Sequence, residues 1–281
     1  MKNYTIFLLA LVIFAACTKE ADIKLPEPEV KLVVTSFISP EDTVISAVIR
    51  SSRPKYVSYS GPELESDVVT DAVVSISGPG GSVTLPFDEF TNAYLITASA
   101  FPITAGSTYS IYASTADGKS VWAQTTVPAN TLAITSFSGQ STRRDVYSAD
   151  YEFWFEAADI PGETNYVALY HRQNRQDQDS LFGWIDYGRG TFYNDENQPR
   201  KSYYERVTGS TYQQDSVQEL KIDIEALNCS RDFYLYNNSV QEAAMNNFNP
   251  FADPVMVYSN INNGFGCFGA FRRTANSIII Q

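Results

Sequence analysis

The chain has 281 residues, an aromatic content of 14% and a formal net charge of −12. Such an acidic surface repels phosphate backbones, which excludes nucleic acid as an expected partner. The aromatic and apolar content is that of a folded body and excludes a disordered chain, and no apolar run after residue 17 approaches membrane-spanning length.

The N-terminus has the layout of a secretory signal peptide. A short basic start at residues 1–3 precedes an apolar stretch over residues 4–16, and Cys17 follows directly. Residues 14–17 resemble a bacterial lipobox, in which small residues precede a cysteine that receives acyl chains. We therefore predict a signal peptide at residues 1–16 and lipidation of Cys17, which would hold the protein in a membrane. An ordinary secreted protein is the alternative.

Residues 17–30 are expected to form a stalk between the lipid and the folded body. Residues 18–22, with a lysine followed by acidic residues, resemble the export signal of Bacteroidota lipoproteins that reach the cell surface. A plain solvated tether is the other interpretation. Pro26 and Pro28 favour an extended backbone. The expected location is the outer membrane, lipid-anchored and exposed at the cell surface.

Residues 31–128 have the pattern of short strands separated by turns. Apolar and polar residues alternate in runs such as 109–113, and residues 78–81 are a turn sequence. The pair Asp117-Gly118 supplies the positive backbone dihedral angles that a tight hairpin needs. About seven short strands without helical periodicity predict an immunoglobulin-like β-sandwich over residues 31–128.

Residues 129–281 are expected to form a second β-sandwich with one helical insert. Strict alternation over residues 151–156 and 219–224 predicts strands with one buried face, and residues 166–171 are expected to form another strand. Ser230 is a good N-cap for a helix near residues 230–247. The fold class is therefore predicted to be all-β, with two tandem β-sandwich domains after a lipoprotein signal peptide.

An aromatic and glycine-rich stretch in the second domain is the candidate binding region. Aromatic faces stack on sugars and pack against proteins, and strict alternation fails here, which favours an exposed cluster. The alternative is that half of these side chains belong to a hairpin core. The candidates are Trp184, Tyr187, Phe192, Tyr193, Tyr203 and Tyr204.

No group of residues in the sequence indicates catalysis, a cofactor or a metal. His171 is the only histidine and shares a predicted strand face with apolar residues, so we expect a hydrogen-bonded core residue. No phosphate-binding glycine loop occurs, and one histidine with two spare cysteines disfavours zinc. The acidic runs at 177–179 and 194–197 lack the spacing of a calcium loop and are expected to be turns. We expect no enzyme; a surface hydrolase is the remaining alternative.

Cys229 and Cys267 remain after Cys17 is assigned to lipid. An oxidising location allows a disulfide between them. Two free buried thiols are the alternative, because sequence does not give the distance between the residues.

The C-terminal sequence resembles a catalogued family. Residues 249–269, NPFADPVMVYSNINNGFGCFG, are similar to the C-terminal signature of the Bacteroidota lipoprotein family named domain of unknown function 4249. Residues 25–26, 31–34 and 105–109 fit the same pattern. The resemblance implies a tandem β-sandwich lipoprotein encoded beside a TonB-dependent outer-membrane transporter, and it implies no reaction.

Part of this signature is a candidate partner-contacting loop, formed by Asn249, Pro250, Phe251, Phe265 and Phe268. A tightly packed closing loop is the alternative, since glycines between phenylalanines allow close packing. The predicted function is a non-catalytic accessory or ligand-binding subunit associated with a TonB-dependent transporter. The alternative function is a stand-alone cell-surface module that binds glycan or protein.

Overall fold

A computed structural model of the chain describes residues 29–53, 67–144, 148–173, 190–212, 220–246, 253 and 255–280. Within these residues the chain forms fifteen strands and one helix. The strands of the N-terminal part are β1 (Leu32–Ile38), β2 (Val44–Ser51), β3 (Val73–Gly78), β4 (Gly81–Leu85), β5 (Phe87–Asp88), β6 (Ala93–Thr97), β7 (Thr108–Ser114) and β8 (Ser120–Thr126). The remaining elements are β9 (Ile134–Arg144), β10 (Ser148–Ala158), β11 (Tyr166–Gln173), β12 (Thr191–Asn194), β13 (Ser202–Tyr212), β14 (Leu220–Cys229), α1 (Arg231–Asn246) and β15 (Phe265–Ile280).

The described strands form three sheets. The largest has eight strands in the order β12-β11-β14-β15-β1-β2-β6-β5. A four-stranded sheet has the order β4-β3-β7-β8, and a three-stranded sheet has the order β13-β10-β9. The mostly β architecture expected from the alternating sequence is confirmed at this level, as is the helix predicted near residues 230–247.

Alternation of side chains explains why these segments form half-buried strands. In β10, Phe153 and Phe155 are fully buried, whereas Trp154 between them points to the other face of the three-stranded sheet. The predicted Asp117-Gly118 turn lies between β7 and β8, where Gly118 has φ 89°. The backbone therefore adopts the left-handed conformation that glycine tolerates best.

Strand β15 connects the two halves of the large sheet. Its first part, from Phe265 to Ala270, pairs in parallel with β1, and its second part, from Phe271 to Ile280, pairs antiparallel with β14. Residues 129–281 as a whole were expected to form a second domain. The structure instead shares β15 between the N-terminal and C-terminal strands.

Two apolar cores lie on one face of the large sheet. Phe268 and Ala270 of β15 belong to the first core, which includes the inward residues of the four-stranded sheet. Ile278 and Ile280 belong to the second core, together with Phe153 of the three-stranded sheet. These four positions of β15 share a face because side chains alternate along a strand. Both smaller sheets therefore pack against the same face of the large sheet.

Helix α1 covers the opposite face of the large sheet. Phe233 is fully buried against Phe37 and Phe271, with ring centroids 4.8 and 5.5 Å away. The Ser230 hydroxyl accepts a hydrogen bond from the Phe233 backbone at 3.3 Å, which confirms the predicted N-cap. Among the described residues, no helix has the length and apolar character that crossing a membrane requires.

A largely buried group of charges joins the two cores at the centre of β15. Arg272 donates to Glu41 at 2.7 Å and to the Ala129 carbonyl at 2.7 Å. Arg273 donates to Asp42 at 2.8 Å, and its backbone N–H donates to Glu41 at 3.1 Å. Glu41 and Asp42 lie in the β1–β2 turn, and Ala129 follows β8 in the connection to the second core. These contacts fix the turn and the connection to the shared strand.

Candidate functional site

The outward face of the four-stranded sheet carries no charged side chain along its strands. Its pairing places serine, threonine and glutamine beside two aromatic residues and one valine. The outward residues are Val73, Ser75, Ser77, Ser82, Thr84, Thr108, Ser110, Tyr112, Ser114, Ser120, Trp122, Gln124 and Thr126. A neutral face of this size is unusual for a surface of a chain with net charge −12. Interface centres are depleted of charge in the same way.

Tyr112 and Trp122 are directly opposite each other in the middle of β7 and β8, and β8 is an edge strand of this sheet. Their exposed fractions are 46% and 47%, large values for aromatic side chains. The edge of β8 is held by Asn262, whose backbone N–H and side-chain amide both donate to the Trp122 carbonyl, at 2.9 and 3.2 Å. The aromatic pair is therefore exposed on a backbone that is fixed on both sides.

A groove with a volume of about 300 Å³ lies on the outward face of the three-stranded sheet. Trp154 is on the central strand, directly between Ser138 of β9 and Arg206 of β13. The ring of Tyr204 stacks on that of Trp154, with centroids 5.9 Å apart and planes inclined by 29°. The side chains that line the groove are those of Ser138, Gln140, Glu152, Trp154, Tyr204 and Arg206.

The groove has one charged pair and is neutral as a whole. Glu152 forms an ion pair with Arg206 on the neighbouring strand, and the glutamate is much less exposed than the arginine. Because the pair is at the surface, it contributes little to stability. It does hold a carboxylate and a guanidinium at fixed positions beside the Trp154 ring.

The structure separates the predicted aromatic cluster. Phe192 packs beside Tyr170 and Tyr234 on the helix side of the large sheet, while Tyr193 packs beneath Arg200 and against the second core. Tyr204 is 44% exposed and lines the groove. Trp184 and Tyr187 lie outside the described residues.

Tyr203 is corrected from a candidate binding residue to a core residue. It is fully buried in the second core, and its hydroxyl donates to Asp159 at 2.6 Å. Burial and this hydrogen bond raise the pKa of the Tyr203 phenol well above its ordinary value. The reason is strand alternation, which sends Tyr203 inward and Tyr204 outward on β13.

The candidate partner loop is also divided. Phe268 is fully buried in the first core, so it is not available to a partner. Phe265 is 48% exposed, and the Lys31 ammonium lies 5.7 Å from its ring centroid. Of the two members that the structure describes, Phe265 is the one that can contact another molecule. Asn249, Pro250 and Phe251 lie outside the described residues, as does Cys17.

Cys229 and Cys267 are free, buried thiols. Both pack beside Phe233 in the cluster beneath α1. The Cys229 thiol donates to the Leu227 carbonyl, and the Cys267 thiol donates to the Asp232 carbonyl. Burial raises the pKa of both thiols well above the ordinary value, which suppresses the reactive thiolate. Of the two alternatives drawn from the sequence, the structure contains the unbonded one.

His171 is hydrogen-bonded, as expected from its strand position. Its Nδ1 lies 3.0 Å from Oε1 of Glu205, a carboxylate that projects inward from β13. The rings of His171 and Phe153 meet edge to face at 5.2 Å. Asp195, in one of the acidic runs, accepts hydrogen bonds from the backbone and side chain of Asn165. No cluster of three or more potential metal ligands occurs in the part of the chain that the structure describes.

The sequence reasoning did not single out Tyr112, Trp122, Trp154 or Arg206. The alternation of inward and outward side chains along each strand could have identified these residues. In β10 the inward residues are aromatic, so an additional tryptophan at the outward position 154 has no packing role to explain it. The same argument applies to Trp122, which alternates with the buried residues Val121 and Ala123.

Comparison with known proteins identifies the family but adds no activity. The family model described as Domain of unknown function (DUF4249) matches residues 18–277. No curated protein matches the chain. The family match extends from the residue after Cys17 through most of β15, so it includes both apolar cores. The predicted resemblance to domain of unknown function 4249 is thereby confirmed, and the chain belongs to this domain family.

Proposed function

We propose that the protein is an outer-membrane lipoprotein, anchored through acylated Cys17 and exposed at the cell surface. In this proposal it is a non-catalytic accessory or ligand-binding subunit of a TonB-dependent transporter. The N-terminal sequence supports the anchor, and the resemblance of the sequence to a Bacteroidota lipoprotein family supports the transporter as partner. The two cores are then two tandem β-sandwich domains, the first immunoglobulin-like, joined by the shared strand β15.

The observation that carries the docking role is the uncharged face around Tyr112 and Trp122. Tyr112 and Trp122 are two neighbouring aromatic side chains that are both about half-exposed on a sheet face without charged side chains, and exposed apolar groups of this kind mark interaction sites. Aromatic enrichment and charge depletion are properties of interface centres, and tryptophan and tyrosine contribute strongly to binding energy. This face therefore suits a protein partner.

The lipid anchor makes modest affinity sufficient for such a complex. The folded body begins at β1, and residues 17–30 of the stalk span at most about 45–50 Å when extended. A tethered protein confined near the membrane has a high effective concentration at a transporter in the same membrane. The aromatic face then needs to contribute only part of the total binding energy.

Changing Tyr112 and Trp122 together to serine tests the docking role. Serine already occurs at several neighbouring positions of this face, and its small polar side chain is suited to a strand face that is exposed to water. We expect the parent protein to co-purify with a TonB-dependent transporter from outer membranes extracted in mild detergent. The double variant should recover about tenfold less transporter, because two interface aromatic residues are lost.

The matched control is Trp154→Ser, which removes an aromatic residue from the other small sheet and should leave transporter recovery unchanged. Equal denaturation midpoints of the parent and the double variant would show that folding is retained. Recovery of the parent lipoprotein without a transporter would contradict the proposal, as would undiminished recovery by the double variant.

A second function is a stand-alone module that binds a ligand at the cell surface. The groove beside Trp154 favours this second function, because this chain alone supplies the aromatic and polar groups that converge there. The two functions differ in one result: a stand-alone module binds its ligand with full affinity when no transporter is present.

A further inference from the structure

We propose that the groove beside Trp154 binds a neutral saccharide, with one pyranose ring stacked on the Trp154 indole. This inference names the ligand of the proposed binding protein and rests on that proposed role. It uses a different surface from the docking face: the three-stranded sheet carries Trp154, and the four-stranded sheet carries Trp122.

The aromatic part of the groove suits the C–H face of a sugar ring. An aromatic ring has a negative face, which attracts the weakly positive C–H groups that a pyranose presents on one side. The Trp154 and Tyr204 rings lie within 30° of parallel, at an inclination of 29°, and both line the groove. Because Tyr204 stacks on one side of the indole, it holds the orientation of the Trp154 ring, and the proposed sugar uses the side of that ring that lines the groove.

The polar part of the groove suits the hydroxyl groups at the sugar edge. Gln140 and Glu152 are directly opposite each other on β9 and β10, and Arg206 contacts Glu152 from β13. An amide, a carboxylate and a guanidinium are planar groups that can bind two adjacent hydroxyls at once. The Ser138 hydroxyl adds a group that both donates and accepts. Donors and acceptors therefore surround the aromatic surface, as a ring bearing several hydroxyls requires.

The charge of the groove indicates a neutral ligand. Its charged lining residues are Glu152 and Arg206, which neutralise each other. A phosphate or sulfate group would compete with Glu152 for the guanidinium, and an amine would compete with Arg206 for the carboxylate. A neutral sugar can hydrogen-bond to both members of the ion pair without separating them.

The size and rigidity of the groove indicate a short segment of glycan. About 300 Å³ is at the lower end of the range for small-molecule sites, which suits one or two sugar rings. The lining residues project from three strands in continuous register near Trp154, so the site is formed before the ligand arrives. Preorganisation lowers the entropic cost of binding.

Glycan-array binding of the full-length lipidated protein tests this inference. The protein should be held in a detergent without a sugar headgroup, since such a headgroup would occupy the groove. The probes are neutral di- to hexasaccharides of glucose, galactose, mannose and xylose in α and β linkage. We expect the parent to bind at least one of these series, and Trp154→Ala to weaken that binding by about tenfold or more.

Two further variants separate stacking from general damage. Phe90→Ala removes an exposed aromatic residue that belongs to neither the groove nor the docking face, and this variant should bind the saccharide as the parent does. Arg206→Lys keeps the charge but loses the planar donor pair, so its affinity should fall between those of the parent and Trp154→Ala. Parent protein that binds none of the probes overturns the inference, and so does Trp154→Ala that binds with parental affinity. Loss of transporter recovery in Trp154→Ser, with no saccharide bound by the parent, would assign the groove to a protein partner instead.

Failure of this inference is distinguishable from failure of the proposed function. Saccharide binding depends on Trp154 and is measured without a transporter, whereas docking depends on Tyr112 and Trp122 and is measured by co-purification. A protein that binds a saccharide but recovers no transporter would be the stand-alone module.

Discussion

Replacing Arg273 with alanine should lower the free energy of unfolding by about 3–5 kcal/mol at pH 8. The change leaves the buried carboxylate of Asp42 without the guanidinium that contacts it at 2.8 Å. It also removes a bond from Arg273 to the Glu41 carbonyl at 3.2 Å. Urea denaturation followed by tryptophan fluorescence measures the loss.

The control for this prediction is Asp42→Asn, alone and combined with Arg273→Ala. The asparagine still accepts a hydrogen bond but carries no charge, so the double variant should be more stable than Arg273→Ala alone at pH 8. Equal stability of these two variants would contradict the claim that an uncompensated charge causes the loss.

The pH dependence has a definite sign. Burial raises the pKa of Asp42 to about 7, and the neighbouring Arg273 opposes this rise. Between pH 4 and pH 7 the folded state therefore binds more protons at Asp42 than the unfolded state, so stability contributed by this group falls as pH rises. Between pH 4 and pH 8, the free energy of unfolding of the parent should fall by on the order of 3 kcal/mol relative to that of Asp42→Asn.

The pKa of Glu41 shifts in the opposite direction to that of Asp42, so its effect on stability has the opposite pH dependence. Burial acts to raise its pKa, but hydrogen bonds from Ser39, Arg272 and the Arg273 backbone lower it on balance. Its contribution is therefore present above the ordinary glutamate pKa and is lost as pH falls through the lowered value. In Asp42→Asn, where residue 42 does not titrate, the free energy of unfolding should therefore fall at acid pH as Glu41 becomes protonated.

Replacing Gly266 with alanine should destabilise the protein by about 3 kcal/mol or more. Gly266 has φ 103°, and an added Cβ would lie 2.0 Å from the Val34 carbonyl oxygen. That oxygen belongs to β1, the parallel partner of β15, so relief of the clash requires the two strands to separate. Thermal and urea denaturation measure the effect.

Gly118→Ala is the matched control, because Gly118 also has positive φ but an added Cβ would meet no atom within 4 Å. Its cost should be limited to backbone strain, at about 1 kcal/mol. Similar losses in the two variants would contradict the proposed close approach of β1 and β15.

Local periodicity predicted much of the strand content but not the pairing of the last strand. The alternation in β10 and β14 indicated their buried faces, and Ser230 indicated the start of α1. Residues 264–270 contain three glycines and were therefore expected to form a loop. The reason for those glycines is tertiary: added Cβ atoms at 264, 266 and 269 would each come within 3.0 Å of another residue. The periodicity of a sequence does not indicate such close contacts between segments that are distant in the chain.

The candidate site was predictable only in part. Tyr204 was named from its aromatic surroundings, but its partner Trp154 comes from a strand some fifty residues earlier and meets it through the β10–β13 register. A groove made by three strands depends on that register, which one segment of sequence does not determine. Tyr203 was named for the same reason as Tyr204 and faces the core, because a single step along a strand reverses the side chain.

The N-terminal peptide of protein purified from the outer membrane tests the central claim most directly. We expect mass spectrometry to show a mature chain that begins at Cys17 and carries acyl chains on that residue. We also expect Cys17→Ser to transfer the protein from the membrane fraction to a soluble one. A mature N-terminus without acyl chains, on protein released to the medium, would contradict membrane anchoring and the transporter association that depends on it.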